Sequence, residues 1–407
     1  MTDSTLPEAR EAPRESLPLG QIVLLAALTA TLPASIDGLS PALPAMAAAL
    51  ATDATHMPAA MSAFVISFAV AQLAGGMLAD SLGRRPVVLG GLVIFTLAGL
   101  LCALATSFPM LLLARALQGL GAAAAVLLAR TIVRDQLPRE AAARALALIG
   151  LFFALTPILA PLVSGALVAL AGWRAPLLAM AALGLIVGIA SLYRLPETLV
   201  PHQRQPFDIS SLSRSLGRLT RSKALMAYIV GNAFAYSGIL LFSAAAPQVI
   251  IGHLGVPAAS YALLLSLSTL GFMGGNAASF RLIRSFGVER TMQVGVTVQL
   301  LGPLCMIATT QLWPDAWAAL ILPQMIYTFG WGIAQPQAQA GALSTHPESI
   351  GQASALLGFG QLAIAGIIVA VFSRVTTGAP MALALGMAFC STTALVCVWA
   401  LIGRSRA

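Results

Sequence analysis

The sequence predicts an all-α membrane protein of twelve transmembrane helices arranged in two six-helix halves. Two observations lead to this fold class. First, 58% of the 407 residues are hydrophobic and only 9% are charged, whereas a soluble domain carries about 25% charged residues. Second, apolar runs of about 20 residues, the length needed to cross a bilayer core, recur along the whole chain.

Charged residues, prolines and glycine clusters divide the chain into twelve candidate spans. The first six spans are 21–49, 58–79, 86–106, 109–132, 145–170 and 175–194, and the other six are 225–247, 258–281, 290–311, 316–340, 350–373 and 380–402. The first run is too long for the core of a signal peptide and therefore predicts a membrane helix. The remaining segments are a predicted N-terminal tail (1–20), a cytoplasmic linker (195–224) and a C-terminal tail (403–407), which leave 21–194 and 225–402 as the two halves.

The basic residues predict the orientation, because cytoplasmic loops are enriched in Lys and Arg. If the N-terminus is cytoplasmic, all of the 22 basic residues except Arg115, Arg174 and Arg374 lie on the cytoplasmic side or in the tails. Both termini are therefore predicted to be cytoplasmic. This topology also explains the net charge of +8 without nucleic acid, and it indicates contact with anionic lipid.

Asp37 lies in the middle of an apolar run, in the segment TLPASIDGLSPALP. A charge at that depth costs at least about 2.5–3.5 kcal/mol, so it is expected to face a cavity or a partner. Arg115 on the fourth span lies at a similar depth and is the natural partner, and Gln118 follows it on the same helix face. The segment QGLGAAAA (118–125) presents small residues that allow another helix to approach closely.

Two readings of the Asp37–Arg115 pair remain open. In the structural reading, the pair only holds two helices together. In the functional reading, Asp37 binds and releases a proton during a transport cycle, because burial and a nearby arginine act in opposite directions on the proton affinity of a carboxylate.

The loop after the second span, GGMLADSLGRRP, is the second group of interest. Asp80 ends one helix, Gly83 allows a tight turn, and Arg84 and Arg85 begin the next helix. A topological anchor explains the arginines alone. Asp80 is expected to bind the N-terminal amides of a neighbouring helix or to pair with basic residues after the fourth span, namely Arg130 or Arg134.

These segments resemble the signatures of the major facilitator superfamily. GGMLADSLGRRP is similar to the superfamily's loop signature through Gly76, Leu78, Asp80, Gly83, Arg84 and Arg85, and LLLARALQGLGAAAA resembles its fourth-helix motif. SIDGLSPALP resembles the first helix of Bcr/CflA-type drug-resistance exporters. RTIVRD, RLPETL and STHPESIGQASALLGFGQ are similar to the same branch.

The resemblance implies a major facilitator fold whose central cavity opens alternately to each side. It implies that Asp37 is the proton and cation site, that Arg115 is its essential neighbour, and that the loop after the second span is a conformational latch. The fifth span departs from the antiporter motif G-P-x-x-G-G. It carries APLVSG, in which the matching positions are Pro157, Ala160, Pro161, Ser164 and Gly165.

The predicted function is proton-coupled export of small hydrophobic antimicrobials, amphenicol-like or monocationic, across a bacterial inner membrane. The protein is expected to be a monomer with no enzymatic activity, no cofactor and no metal. Aromatic residues at helical spacing are more often packing residues than pocket residues, but they supply candidates for an apolar cavity. The candidate cavity residues are Asp37, Phe64, Phe68, Gln118, Phe153, Tyr228, Asn232, Phe234, Tyr236, Tyr327, Trp331, Gln335, Phe359 and Gln361.

Other functions are weighed against this one. Proton-coupled export of a metabolite such as a sugar or an amino acid requires more hydrogen-bonding groups in the cavity, and the polar set of the first and fourth spans is too small to decide. A membrane sensor predicts a signalling domain or a long tail. A membrane enzyme predicts clustered His, Asp, Ser or Cys at one interface, and the sequence contains no such cluster.

Overall fold

The computed structural model describes residues 16–201, 204, 214, 217–345, 350–375 and 379–402. Most of the predicted N-terminal tail, much of the predicted linker and the tail 403–407 lie outside the described residues. Every regular element in the described part is helical. The α-helices are α1 (Leu19–Asp37), α2 (Leu43–Ala49), α3 (Pro58–Leu82), α4 (Arg84–Ala103), α5 (Phe108–Gln136), α6 (Arg139–Ala171), α7 (Arg174–Arg194), α8 (Lys223–Pro247), α9 (Ala258–Leu312), α10 (Ala318–Ser344), α11 (Ile350–Val375) and α12 (Pro380–Cys397).

Ten helices in the described residues are long and apolar enough to cross a membrane. In a bilayer only helices and closed barrels satisfy every backbone polar group, which explains why the apolar runs form helices. Proline and glycine set their ends. Pro58 and Pro380 begin α3 and α12, where the missing N–H is not needed. Gly83, with a φ of 107°, ends α3.

Helix α9 (Ala258–Leu312) consists of two helices that meet at Gly287, where the backbone is non-helical with a φ of 72° and a ψ of 178°. The predicted spans 258–281 and 290–311 lie on either side of this break. Glycine adopts such a φ without a steric penalty, so a single residue is enough to break the helix direction. The expected basic loop is therefore largely helical.

Small residues bring α3, α4 and α5 into close contact, as the segment 118–125 predicts. A Cβ at Gly119 would collide with the Phe64 carbonyl of α3. A Cβ at Gly121 would lie 2.5 Å from the backbone of Gly91 and Phe95 on α4. Helices in membranes gain their packing from such close approach of backbones, so this prediction is confirmed.

The helices before residue 195 meet those after residue 222 along two helix pairs. Helix α3 contacts α11, where a Cβ at Gly366 would lie 2.6 Å from the Ile66 side chain. Helix α6 contacts α9, where a Cβ at Gly165 would lie 2.8 Å from the Ala262 Cβ. We call the end of the bundle beside the loop 50–57 the Asp37 end, and the opposite end the Arg84 end.

Candidate functional site

Asp37 is the last residue of α1, and the chain then continues through the short 3₁₀ turn Ser40–Ala42 into α2. Two features of the sequence end the helix here. Pro41 has no N–H to donate to the Asp37 carbonyl, and the Leu39 N–H donates to the Ile36 carbonyl at 3.3 Å rather than to the Ser35 carbonyl. The carboxylate therefore projects from a helix end rather than from the middle of a straight helix.

The Asp37 carboxylate lies where the N-terminal helices meet the C-terminal helices. The Ser243 hydroxyl of α8 donates to Asp37 Oδ1 at 3.5 Å. Ser40 donates to the Ser243 carbonyl at 2.6 Å, and its hydroxyl is 3.0 Å from the Tyr261 hydroxyl of α9. Asp37, Ser40, Ser243 and Tyr261 form a polar group, here called the seal cluster, that joins the two sets of helices at the Asp37 end.

Arg115 is fully buried. Its guanidinium donates to the Ser35 carbonyl of α1 at 2.9 Å, to Gln118 Oε1 at 2.6 Å, and to the Ala60 carbonyl of α3 at 3.4 Å. The Cζ atom lies 4.4 Å from the centre of the Phe64 ring, at cation–π distance. Arg115 therefore links α1, α3 and α5.

The predicted direct pair between Asp37 and Arg115 is wrong for this structure. Among the described residues, no ion pair joins Asp37 to Arg115. The physical reason is the end of α1, which leaves the Ser35 carbonyl without a helical donor. Cations are favoured at a helix C-terminus, and Arg115 occupies that position.

Two predicted cavity aromatics are in contact. The Tyr236 ring of α8 and the Trp331 ring of α10 have centroids 5.5 Å apart, and Trp331 stacks on Phe272 of α9 with centroids 4.7 Å apart. Trp331 Nε1 is buried and has no hydrogen-bond partner in the part of the chain that is described. A buried indole N–H normally has a partner, so this group is free to bind a ligand or a water.

Two predicted polar residues also meet, since Asn232 Nδ2 of α8 donates to Gln361 Oε1 of α11 at 2.8 Å. Gln118 is fully buried, and its Nε2 has no partner among the described residues. Other predicted residues are only partly buried and can reach a cavity; they are Phe153, Gln335 and Phe359.

Tyr327 and Tyr228 do not have the cavity-facing positions that were expected. The Tyr327 side chain is fully buried, packs against Gly238, and donates to the Ala235 carbonyl at 2.9 Å. Tyr228 is 6% exposed and packs against Gly341. Both glycines leave room for a ring between neighbouring helices, and the tyrosines fill that room as packing residues.

The loop between α3 and α4 forms a charged cluster at the Arg84 end. Arg84 Nη1 lies 2.5 Å from Asp80 Oδ1, and Arg84 Nε lies 3.3 Å from Asp135 Oδ2 of α5. Thr198 donates to the same Asp135 oxygen at 2.9 Å. In the described residues the expected pairing of Asp80 with Arg130 or Arg134 is not formed, because Arg84, which follows the turn at Gly83, occupies the Asp80 carboxylate.

Glu197 completes this cluster. Its carboxylate accepts the backbone N–H groups of Arg84 at 2.9 Å and Arg85 at 3.2 Å, which begin α4. A carboxylate at a helix N-terminus satisfies orphan N–H groups and complements the helix dipole. Gly83 permits the arrangement, since its positive φ turns the chain and a Cβ there would lie 2.5 Å from Glu197 Oε2.

The motif of the fifth span lies on α6, where it faces the C-terminal helices. Gly165 touches α9, and Ser266 of α9 donates to the Ile158 carbonyl at 2.9 Å. Ser164 is 3% exposed, and its hydroxyl has no partner in the described part of the chain. Pro157, Ala160 and Pro161 lie within the same helix, and Ala160 and Pro161 fall between these contacts.

Sequence reasoning missed several residues of these groups, for which partial signals exist. Asp135 and Glu197 belong to the segments RTIVRD and RLPETL, which the resemblance singles out as a whole without assigning a partner. Ser243 and Tyr261 belong to no motif. Their partners, Asp37 and Ser40, lie about 200 residues away in the sequence, so only the folded chain reveals these contacts.

The chain matches the family model described as Major Facilitator Superfamily over residues 23–370. A protein named bicyclomycin resistance protein homolog from Haemophilus influenzae is 24% identical over 371 residues, which cover 90% of this chain and 92% of that protein. The multidrug resistance protein MdtL of Salmonella heidelberg is 33% identical over 242 residues, 60% of this chain and 61% of that protein.

Solved structures of transporters share the fold. A D-xylose-proton symporter aligns with a TM-score of 0.75 at 14% identity over 93% of this chain and 97% of that chain. The nucleoside transporter NupG aligns with a TM-score of 0.76 at 15% identity over 95% of this chain and 98% of that chain. At these identities the likeness concerns the fold alone.

Proposed function

Because the chain belongs to the Major Facilitator Superfamily, we propose that it is a proton-coupled antiporter that exports small hydrophobic antimicrobials by alternating access. The relatives named for bicyclomycin and multidrug resistance support drug export. The observation that carries the proton coupling is the position of Asp37 in the seal cluster, where one carboxylate joins α1 to α8. A change in its charge therefore acts directly on the contact between the two sets of helices.

The coupling follows from the cost of a buried charge. An ionised carboxylate away from water costs at least about 2.5–3.5 kcal/mol in a membrane helix, and the single 3.5 Å bond from Ser243 compensates for only part of it. The sealed arrangement thus favours the neutral form of Asp37. Release of the proton weakens the seal, and substrate binding at the Arg84 end completes the exchange.

The proposed topology has twelve crossings, with both termini in the cytoplasm. Helix α9 contributes two crossings because it has 55 residues and breaks at Gly287, and α10 contributes one through its 27 residues. Arg84, Arg281 and Arg290 then lie at cytoplasmic ends, in agreement with the positive-inside rule. The Asp37 end faces outward, so the seal cluster closes the outer side of a monomer in a bacterial inner membrane.

The proposed linker 195–224 joins the halves 21–194 and 225–402. Between these halves, the aromatic group of Tyr236, Trp331 and Phe272 offers ring faces to an apolar substrate. Unpaired donors at Trp331 Nε1 and Gln118 Nε2 offer hydrogen bonds to it. Asp37 is the one carboxylate within the spans and away from their ends, and this favours a neutral amphenicol-like drug or a monocation.

The test measures proton movement in inverted membrane vesicles. The vesicles are energised so that their interior becomes acidic, and a pH-sensitive dye reports proton release when amphenicols, lipophilic cations or metabolites are added. We expect a drug of the first two groups to trigger release from wild-type vesicles. We expect Asp37→Asn to reduce this release to the level of vesicles without the protein.

The matched control is Asp53→Asn, which removes an exposed acid from the loop on the same side and is expected to behave as wild type. Equal expression and an equal melting temperature of all three proteins ensure that folding is not the cause. If folded Asp37→Asn releases protons as strongly as wild type, Asp37 is not the coupling site. A response to sugars or amino acids alone would replace drug export with metabolite export.

A further inference from the structure

Helices α6 and α9 separate toward the Arg84 end and leave a cleft between them. Ser266 of α9 donates to the Ile158 carbonyl of α6 at 2.9 Å. Beyond it lies a cleft of about 530 Å³ that only Ala154 of α6 lines from one side. Its lining residues are Ala154, Phe272, Met273, Asn276, Ala277, Phe280, Arg281 and Arg284. We refer to this space as the lateral cleft.

The lateral cleft is amphipathic along its length. Phe272 and Met273 lie midway along the first helix of α9, and the exposed residues Arg281 and Arg284 lie at the Arg84 end. At 1.5 Å per residue, Phe272 and Arg284 are roughly 18 Å apart along α9, which is close to the thickness of one leaflet. An amphiphile with an apolar tail and an anionic head fits this order.

The arginines of the lateral cleft are available to an external anion. The ion pairs in the described residues do not include Arg281 or Arg284, and the residues that line the cleft carry no carboxylate. The side chain of Asn276 lines the same space. The cleft is open at Phe280, whose side chain is 74% exposed.

We propose that the lateral cleft binds an anionic phospholipid of the inner leaflet, with its phosphate at Arg281 and Arg284 and an acyl chain against Phe272 and Met273. Basic pockets between membrane helices on the cytoplasmic side bind anionic headgroups, and anionic lipid is abundant in that leaflet. A soluble anion leaves the apolar part of the cleft unfilled. A zwitterionic lipid fills the cleft but gains no net attraction from the two arginines.

The test uses Trp331 as a reporter, because its ring stacks on Phe272 of the cleft wall. The purified full-length protein in nanodiscs of phosphatidylcholine receives increasing amounts of phosphatidylglycerol with brominated chains, which quench nearby tryptophan. The difference between wild type and Trp331→Phe isolates the signal of Trp331. Each arginine is expected to raise the affinity for phosphatidylglycerol about fivefold. Quenching by brominated phosphatidylglycerol should therefore saturate at a lipid fraction about 25-fold lower than quenching by brominated phosphatidylcholine.

The variants separate the headgroup from the chain. Arg281→Gln/Arg284→Gln is expected to remove the preference for phosphatidylglycerol, and Arg281→Lys/Arg284→Lys to retain most of it. The matched control Arg218→Gln/Arg221→Gln removes two exposed charges outside the cleft and should keep the preference. Ala277→Phe places a ring in the cleft at an exposed position and should reduce Trp331 quenching by both lipids.

Three results would overturn the proposal. Equal quenching by the two lipids in wild type would mean ordinary contact with surrounding lipid. A preference that persists in Arg281→Gln/Arg284→Gln would place the headgroup elsewhere. Displacement of the lipid by soluble glycerol phosphate would mean a site for a free phosphate ester. The assay measures lipid binding without transport, so its failure is distinguishable from a failure of the proposed antiport.

Discussion

Replacing Arg115 with lysine tests whether this residue holds α1, α3 and α5 together. Lysine keeps the positive charge but presents a compact ammonium in place of the planar guanidinium. We expect the ammonium to retain one acceptor, Gln118 Oε1, and to lose the Ser35 carbonyl and the face of the Phe64 ring. The Arg115→Lys protein should therefore fold less stably although its net charge is unchanged.

The magnitude follows from the lost contacts. A hydrogen bond from a charged group contributes about 1.5–3 kcal/mol, and a desolvated cation–π contact contributes about 2 kcal/mol. The 3.4 Å bond to the Ala60 carbonyl is long and is left out. One bond and one ring contact together give a loss of about 4 kcal/mol in the free energy of unfolding.

The assay is thermal unfolding of the purified protein in detergent, with a melting temperature several degrees lower expected for Arg115→Lys. Arg130→Lys is the matched control, because Arg130 lies on the same helix α5 with an exposed side chain, and it should leave the melting temperature unchanged. If Arg115→Lys has the same melting temperature as wild type, Arg115 does not act as a clamp that holds α1, α3 and α5 together. An Asp37→Asn protein that melts with wild type but does not transport would further separate the clamp from the coupling site.

Two more substitutions test the ends of the bundle. Gly83→Ala should lower the free energy of unfolding by about 1–3 kcal/mol because of the positive φ, and by more because the new Cβ would contact Glu197. Its melting temperature should therefore be lower than that of Gly172→Ala, which shares the positive φ but has open space around it. Equal melting temperatures would contradict the close contact of Glu197 with the start of α4. Tyr261→Phe removes the hydroxyl next to Ser40 and about 1 kcal/mol from the sealed state. Spin labels in the loops 51–53 and 254–256 should then show a larger fraction of molecules in which the two loops are far apart. An unchanged distance distribution would show that this contact does not hold the seal.

The helices were largely predictable because a bilayer fixes their length and composition. Runs such as 58–79 and 109–132 lie within α3 and α5, and prolines and glycines mark their ends. The short connection between the two helices of α9 was not predictable from composition. A basic segment suggests a longer loop, but the arginines around it are helical, and the backbone angles at Gly287 alone separate the two helices.

The candidate site was predictable in its residue types but not in its contacts. The positions of Asp37 and Arg115 along their predicted spans place both at a similar depth in the membrane, and this suggested an ion pair. A depth calculated for each helix separately does not show which side chains are in contact. The end of α1 at Asp37 adds a backbone acceptor at Ser35 that no composition argument reveals. Likewise, the motif around Arg84 indicates its importance, whereas its partners Asp135 and Glu197 come from α5 and the segment after α7.

The end of α1 at Asp37 explains why the arginine and the carboxylate can have different roles. It frees the Ser35 carbonyl, so Arg115 satisfies its charge with uncharged acceptors and an aromatic face. It also leaves the carboxylate beside Ser243 of the opposite set of helices. A direct salt bridge would favour an ionised carboxylate in every conformation and would oppose proton exchange. A fixed cation that is bonded to the Ser35 carbonyl but not to Asp37 allows the carboxylate to bind and release its proton as the seal closes and opens.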